Sequence, residues 1–181
     1  MKYFTNFPTI YYNGQKTKNI VLKYQFFQNI LNDYTAFYPF VVTNNLSPQD
    51  VAEQYYGSKE WDWLVYMAND IYDPYLQWPL TNREFQNFIE EKYGSYEVAS
   101  TTILYYKYNL NSDPTDPFRL YNTNYSMPIT TYSFLSSEEK SLWTPVYAYD
   151  HEFEKNEQKR TIRLFDNELI NKLAQEISNI F

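Results

Sequence analysis

One histidine and no cysteine stand among the 181 residues, which removes disulfides, thiolate nucleophiles, zinc clusters and any metal site built on two imidazoles. His151 lies in Tyr149-Asp150-His151-Glu152, and the nucleophile-elbow pattern Gly-x-Ser-x-Gly that would accompany a Ser-His-Asp triad occurs nowhere. It reads as a surface histidine of a hairpin. A phosphate cradle needs clustered glycines so that backbone N–H groups converge, and Gly14, Gly57 and Gly94 stand apart. Asn111-Ser112-Asp113-Pro114-Thr115-Asp116 gathers oxygen-bearing side chains that a calcium ion could use, yet it lacks the central Gly and terminal Glu of an EF-hand loop; an Asx-turn loop is the better reading. Glu90-Glu91, Glu138-Glu139 and Asp150 with Glu152 have the residue types for acid and base roles in glycoside cleavage. Adjacent helix positions point to different faces, however, so these carboxylates are expected to be solvated. Lys155, Lys159, Arg160 and Arg163 are interleaved with Glu154 and Glu157, as in a mixed ion-pair surface rather than a nucleic-acid patch. No catalytic residue, metal site or cofactor emerges, and the chain reads as a non-enzyme.

What the composition offers instead is aromatic surface. The chain has 21 Tyr, 13 Phe and 4 Trp against only 3 Gly. Such rings bring large contact areas with few rotatable bonds, and Tyr and Trp keep a polar handle for a wet interface. Trp61, Trp63, Tyr66, Tyr72, Tyr75 and Trp78 are the densest group. Trp61 is expected in the core. For Trp63, Tyr72, Tyr75 and Trp78 core and contact surface are equally open, because a second helix face and a proline-bent loop carry several rings outside one small core. The predicted partner-binding set is Trp63, Tyr66, Met67, Tyr72, Asp73, Pro74, Tyr75 and Trp78, with Leu169, Leu173 and Ile177 at the C-terminus. Fifteen Lys and Arg against 22 Asp and Glu leave a net charge of −7, which disfavours phosphate backbones. No apolar run nears the roughly 20 residues of a membrane span. The start Met1-Lys2-Tyr3-Phe4 lacks a signal-peptide pattern, so cytoplasmic synthesis is expected.

The elements that position these residues follow from local chemistry. Residues 1–20 read as an extended aromatic arm with a turn at Asn13-Gly14. Residues 21–34 fit a helix or a strand. Tyr38 to Thr43 reads as a strand. Ser47-Pro48-Gln49-Asp50 supplies an N-cap, a proline at the first helical position and an acidic third residue, and Gly57 stands where a left-handed cap belongs. A second helix over about 59–69 places Trp61, Leu64, Val65 and Ala68 on one side and Trp63, Tyr66 and Met67 on the other. Asn69 to Tyr75 breaks it, and Leu76-Gln77-Trp78-Pro79-Leu80 returns as an edge strand. A capping box at Thr81-Asn82-Arg83-Glu84 opens a third helix over 82–93, stopped by Gly94. Residues 96–165 look rich in strands and loops, with a hairpin whose arms are Val146-Tyr147-Ala148-Tyr149 and Arg160 to Phe165. From Asp166, Leu169, Ile170, Leu173, Ile177 and Ile180 form one helical stripe.

Ser47 to Gly57, with its Tyr56-Gly57 ending, followed by Trp61-Asp62-Trp63-Leu64-Val65 and Asn69-Asp70-Ile71-Tyr72-Asp73-Pro74-Tyr75 with Trp78 shortly after, resembles the baseplate wedge subunit of contractile-tailed bacteriophages that carries a LysM-like domain. Agreement is strongest over 38–80. Phe7-Pro8-x-Ile10-x-Tyr12 and Asn156-Glu157-x-x-Arg160-x-Ile162 are weaker echoes, and 96–145 has no match. The resemblance implies a structural subunit that joins neighbouring wedges and contacts the wedge core and the sheath-initiating protein. LysM modules elsewhere bind N-acetylglucosamine polymers through loops that correspond to Thr43 to Ser47 and Asn69 to Tyr72.

The expected fold is α+β: a LysM-like strand-helix-helix-strand module, an irregular β-rich insert and a C-terminal amphipathic helix. Its segments are an arm and possible helix (1–37), the module plus the following helix (38–95), a β-rich region (96–165) and a docking helix (166–181). The expected function is a structural virion protein of a contractile tail baseplate, assembled in the host cytoplasm, with other wedge proteins, neighbouring wedges and the sheath-initiating protein as partners. Nucleic acid and membrane are not among them. The alternative is a glycan-binding module for peptidoglycan or chitin.

Overall fold

The computed structural model describes residues 4, 7–21, 34–43, 45–108 and 125–170. Their strands are β1 (Thr9–Tyr12), β2 (Gln15–Lys18), β3 (Phe37–Val41), β4 (Ile103–Tyr108), β5 (Ser126–Met127), β6 (Trp143–Tyr147) and β7 (Thr161–Phe165). Their α-helices are α1 (Pro48–Tyr56), α2 (Asp62–Ala68), α3 (Pro74–Gln77), α4 (Asn82–Tyr93), α5 (Tyr96–Thr101), α6 (Ile129–Ser133), α7 (Ser137–Lys140) and α8 (Ala148–Gln158). The fold is α+β. It divides into one unit of Met1–Pro79 with Lys159–Phe181 and a second of Leu80–Gln158.

In the first unit, β3 pairs antiparallel with β7, Phe37 opposite Phe165 and Val41 opposite Thr161. Helices α1 and α2 follow β3 as expected, but α3 to α8 and β4 to β6 also lie between α2 and β7 in sequence. The partner of β3 is β7, and no strand forms over the expected 76–80. There, Asp73 acts as an N-cap that accepts the Tyr75 N–H at 3.0 Å, and Pro74 starts the one-turn helix α3. An Asp-Pro pair can open a helix as well as end one.

Helix α1 begins as its sequence dictates. Ser47 and Asp50 exchange both hydrogen bonds of a capping box, and Gly57 takes φ 77°, where a β-carbon is disfavoured. Val51, Ala52, Val65 and Trp78 pack with Ile162 and Leu164 of β7. Phe7, Trp63, Leu64, Ala68, Phe165 and Ile170 form a second cluster. The aromatic arm is therefore anchored within its own unit: Phe7 is 1% exposed, and Lys18 Nζ donates to its carbonyl at 2.7 Å. Residues 9–18 are a hairpin turned by Asn13 and Gly14, both with positive φ.

Asn69 ties α2 to the free edge of β7. Its amide nitrogen donates to the Val65 and Arg163 carbonyls at 2.8 Å each, and its oxygen accepts the Arg163 N–H at 2.8 Å. The side-chain amide thus behaves like one peptide of a neighbouring strand. Tyr56 adds a second tie by accepting the Phe165 N–H at 2.9 Å, and burial pushes its phenol well above the ordinary range.

In the second unit, β4 is the central strand between β5 and β6. Phe85, Ile89 and Ala99 form the core with Tyr149, Phe88 and Leu80 packed against them. The capping box Thr81/Glu84 and Gly94 delimit α4 as expected. The hairpin expected around a charged tip is absent: β6 pairs with β4, β7 pairs with β3, and 148–158 is the helix α8. Its buried stripe, Ala148, Glu152 and Asn156, repeats every four residues but is two-thirds polar, so hydrophobic periodicity does not disclose it. Helix α5 likewise occupies part of the region expected to be β-rich.

The expectation of solvated carboxylates fails at Glu152, which is 7% exposed. It accepts from Lys92 Nζ at 2.8 Å and the Tyr93 hydroxyl at 3.0 Å. Burial alone would raise its pKa, but these two donors outweigh burial and hold the carboxyl below its ordinary value. Asn156, 5% exposed, accepts the Leu80 N–H at 2.7 Å and donates to the Leu80 carbonyl at 3.1 Å.

The expected helix-or-strand segment lies mostly outside the described residues, as does the 111–116 loop. Of the C-terminal helix, 167–170 are helical, and the remainder lies outside the described residues.

Candidate protein-protein contact surface

The turn between α2 and the second unit carries the most exposed rings of the predicted set. Tyr72 is 80% exposed, Tyr75 90% and Leu76 71%. The chain reaches this turn through Asp70 at φ 53°, a left-handed conformation that Asp tolerates better than most residues. Gln77 then clamps the turn from within, its Oε1 accepting the N–H groups of Tyr72 at 2.7 Å and Asp73 at 2.8 Å. Lys159 Nζ donates to the Leu76 carbonyl at 2.6 Å. The backbone beneath the exposed side chains is hydrogen-bonded at Tyr72, Asp73, Pro74, Tyr75 and Leu76, so ordering it on contact with a partner costs little further entropy.

Arg163 supports the same turn from β7. Its guanidinium lies 4.4 Å from the Phe37 ring centroid, its Nε donates to the Ala68 carbonyl, and an Nη atom lies 3.8 Å from Asp70. Lys159 and Arg163, expected in a mixed ion-pair surface, also hold backbone carbonyls and an aromatic face, and Arg163 faces the Asp70 carboxylate.

The other predicted residues divide by burial. Trp63 (6% exposed) and Trp78 (9%), for which the sequence leaves core and contact surface equally open, are buried in the core of their own unit. The Trp78 indole N–H donates to the Leu46 carbonyl at 3.0 Å. Trp61, assigned to the inner side of α2, is only half-buried. The reason is phase: 59–61 form a 3-10 turn and the α-helix starts at Asp62, which rotates Trp63 inward. Tyr66 and Met67 are half-buried on the flank. Burial, then the Asp62 carboxylate, pushes the Tyr66 phenol up, leaving it a neutral hydroxyl. Asp73 and Pro74 shape the turn rather than project from it. Leu169 packs against the core cluster that contains Ile170, so the beginning of the C-terminal stripe is covered by its own unit. Leu173 and Ile177 lie outside the described residues. Leu76 is an exposed apolar residue of this turn that the sequence reading does not single out, because it assigns 76–80 to a strand; Pro74 at a helix start is the available signal.

His151 sits on α8 with its Nδ1 3.2 Å from the Tyr105 hydroxyl, not in a hairpin tip. Among the described residues no helix is long and apolar enough to cross a membrane, and no group of three or more His, Asp or Glu side chains is arranged to hold a metal.

With this geometry in hand, the comparison with known families is decisive: the model described as base plate wedge protein 53 matches residues 3–180. The chain belongs to this phage baseplate wedge family. It is a structural protein of the phage tail baseplate and acts with other baseplate proteins. The match spans both units, including the 96–145 stretch that carried no resemblance. A structural family does not favour the glycan-binding alternative. No curated protein matches the chain.

Proposed function

We propose that the chain joins wedge subunits of a contractile tail by burying the exposed turn Tyr72-Asp73-Pro74-Tyr75-Leu76 against a neighbouring wedge polypeptide. The partners are other wedge proteins, neighbouring wedges and the sheath-initiating protein, and assembly takes place in the host cytoplasm. The observation that supports this reading is the coexistence of large apolar exposure with a fixed backbone in that turn. Burying a large side chain contributes about 1.5–3 kcal/mol, and a few such anchors dominate most interfaces. The β3–β7 pair with α1 and α2 serves on this reading as a frame for the turn. Leu173 and Ile177 are assigned to a second contact of the C-terminal helix.

The test is co-expression of the full chain with the other wedge proteins, followed by affinity capture. A Tyr75→Ser/Leu76→Ser chain is expected to fold like the parent and to lose wedge capture by tenfold or more. Undiminished capture by this folded double variant would refute the assignment of the turn.

A further inference from the structure

Every strand residue of the β1–β2 hairpin is exposed, so neither of its faces is covered by the chain's own core. A two-stranded ribbon standing alone is marginally stable in water, and its outer edges offer unpaired backbone groups. The register identifies them. The Asn19 N–H donates to the Pro8 carbonyl at 2.9 Å, and Asn13-Gly14 turns the chain with Tyr12 opposite Gln15. Bonded pairs alternate along an antiparallel ladder, so Pro8, Ile10 and Tyr12 face β2, while the N–H and C=O groups of Thr9 and Tyr11 point away from it. On β2 the outward residues are Lys16 and Lys18.

The other sheet edges among the described residues are protected. Lysines on an edge strand discourage pairing with another chain, and β2 has two. Beside β3, the Val42 N–H donates to the Arg160 carbonyl at 2.8 Å and the Asp166 N–H to the Ala36 carbonyl at 2.9 Å, which puts Pro39 at an outward position where no N–H can be offered. The outer side of β7 is taken by Asn69 and Tyr56. Strand β6 carries Pro145, and β5 has only two residues. Strand β1, Thr-Ile-Tyr-Tyr, has no charge, no proline and a high strand propensity. Phe7, buried two residues before it, fixes the hairpin to its unit.

Charge selects what pairs there. Residues 1–32 hold four lysines and no Asp or Glu, whereas the rest of the chain holds eleven basic residues against 22 acidic ones. Thr9 and Tyr11 share a face with Lys18 and Lys16, and Ile10 and Tyr12 stand on the other. A second copy would bring another basic hairpin to this edge, so charge favours a different polypeptide. We propose that β1 receives an extended segment of another baseplate polypeptide as a third strand, acidic on the lysine face and apolar on the face of Ile10 and Tyr12. This surface is separate from the exposed turn, and the inference stands whether or not that turn is buried.

The test is amide hydrogen exchange, read at residue resolution by mass spectrometry. The full chain is compared alone and in the assembly captured after co-expression with the other wedge proteins. The Thr9 and Tyr11 amides are expected to exchange freely in the lone chain and about tenfold or more slowly in the assembly, with Ile10 and Tyr12 protected in both. Free exchange of Thr9 and Tyr11 in the assembly, or failure of the parent chain to capture any wedge protein, would overturn the proposal. Protection already present in a dimer of the lone chain would overturn the choice of a different polypeptide. Tyr11→Pro removes one outward N–H and none of the hairpin's own hydrogen bonds, so it should weaken capture about tenfold relative to Tyr11→Thr, which keeps that N–H. Equal capture by these two variants would count against strand addition, and undiminished capture by Lys16→Glu would refute the acidic face.

Discussion

Replacing Asn69 tests whether a single amide holds α2 to the closing strand. In Asn69→Ala three hydrogen bonds vanish, and the Arg163 N–H and carbonyl lose their side-chain partner at the strand edge. At about 1 kcal/mol net per bond, the loss of stability is about 3 kcal/mol, less whatever water restores at this half-buried position. Asn69→Asp separates donor from acceptor. It keeps an oxygen for the Arg163 N–H but turns a carboxylate oxygen toward the Val65 and Arg163 carbonyls, which raises the carboxyl pKa in the folded state. The sign follows: a raised folded-state pKa means the variant is least compromised below the unfolded value of about 3.9 and loses stability as pH rises through the folded value. The Arg163 guanidinium offsets part of this repulsion. The assay is urea unfolding at pH 4.0 and 7.0 followed by tryptophan emission, to which Trp61, Trp63 and Trp78 of the first unit contribute against Trp143 of the second. A loss below about 1 kcal/mol for Asn69→Ala, or an Asn69→Asp chain as stable at pH 7.0 as its parent, would refute the reasoning.

The Glu152–Lys92 pair stabilises the second unit over a plateau with two edges. Glu152 sits below its ordinary 4.5, so its contribution is complete above that pH and is lost as pH falls through the lowered value. Lys92 is held above its ordinary 10.5 chiefly by its hydrogen bond to Glu152, so its contribution is complete below that pH and is lost as pH rises through the raised value. Lys92→Met should cost about 1–2 kcal/mol at pH 7, a figure reduced for the half-exposed ammonium, and Glu152→Gln should flatten the acid edge in a pH series of urea midpoints. Gly57→Ala meets no atom within 4 Å but keeps φ at 77°, so it should cost about 1 kcal/mol from backbone strain alone, measured by the same unfolding curves. Ser47→Ala removes one half of a capping box and should cost about 1 kcal/mol as well.

Helix boundaries were legible because their causes are local. Ser47 with Asp50, Thr81 with Glu84, and the glycines at 57 and 94 each act within four residues of themselves. The strand that closes the first unit was hidden for the opposite reason, since Val41 finds Thr161 across a long stretch of chain and nothing near 76–80 announces the substitution. The inward phase of Trp63 was hidden by a 3-10 turn that shifts the helix start, and α8 by a buried stripe built on Glu152 and Asn156. Of the aromatic residues that the sequence singles out, Tyr72 and Tyr75 are exposed. Trp63 and Trp78 are singled out as well, since an aromatic residue carries no local mark of which way its ring turns.

Strand β3 cannot begin to pair until Thr161 has been made, 120 residues after its partner Val41, and the pairing is complete only with Phe165. At a synthesis rate of about 5–20 residues per second, the ribosome spends roughly 6–24 s between the two. Every residue of the second unit has been polymerised by then, because Gln158 precedes β7. The exposed turn is thus framed last, and its anchoring residues Lys159 and Arg163 arrive with the same closing segment. A nascent chain cut before this point would carry the rings on the Gln77 clamp alone, without the Lys159 and Arg163 ties.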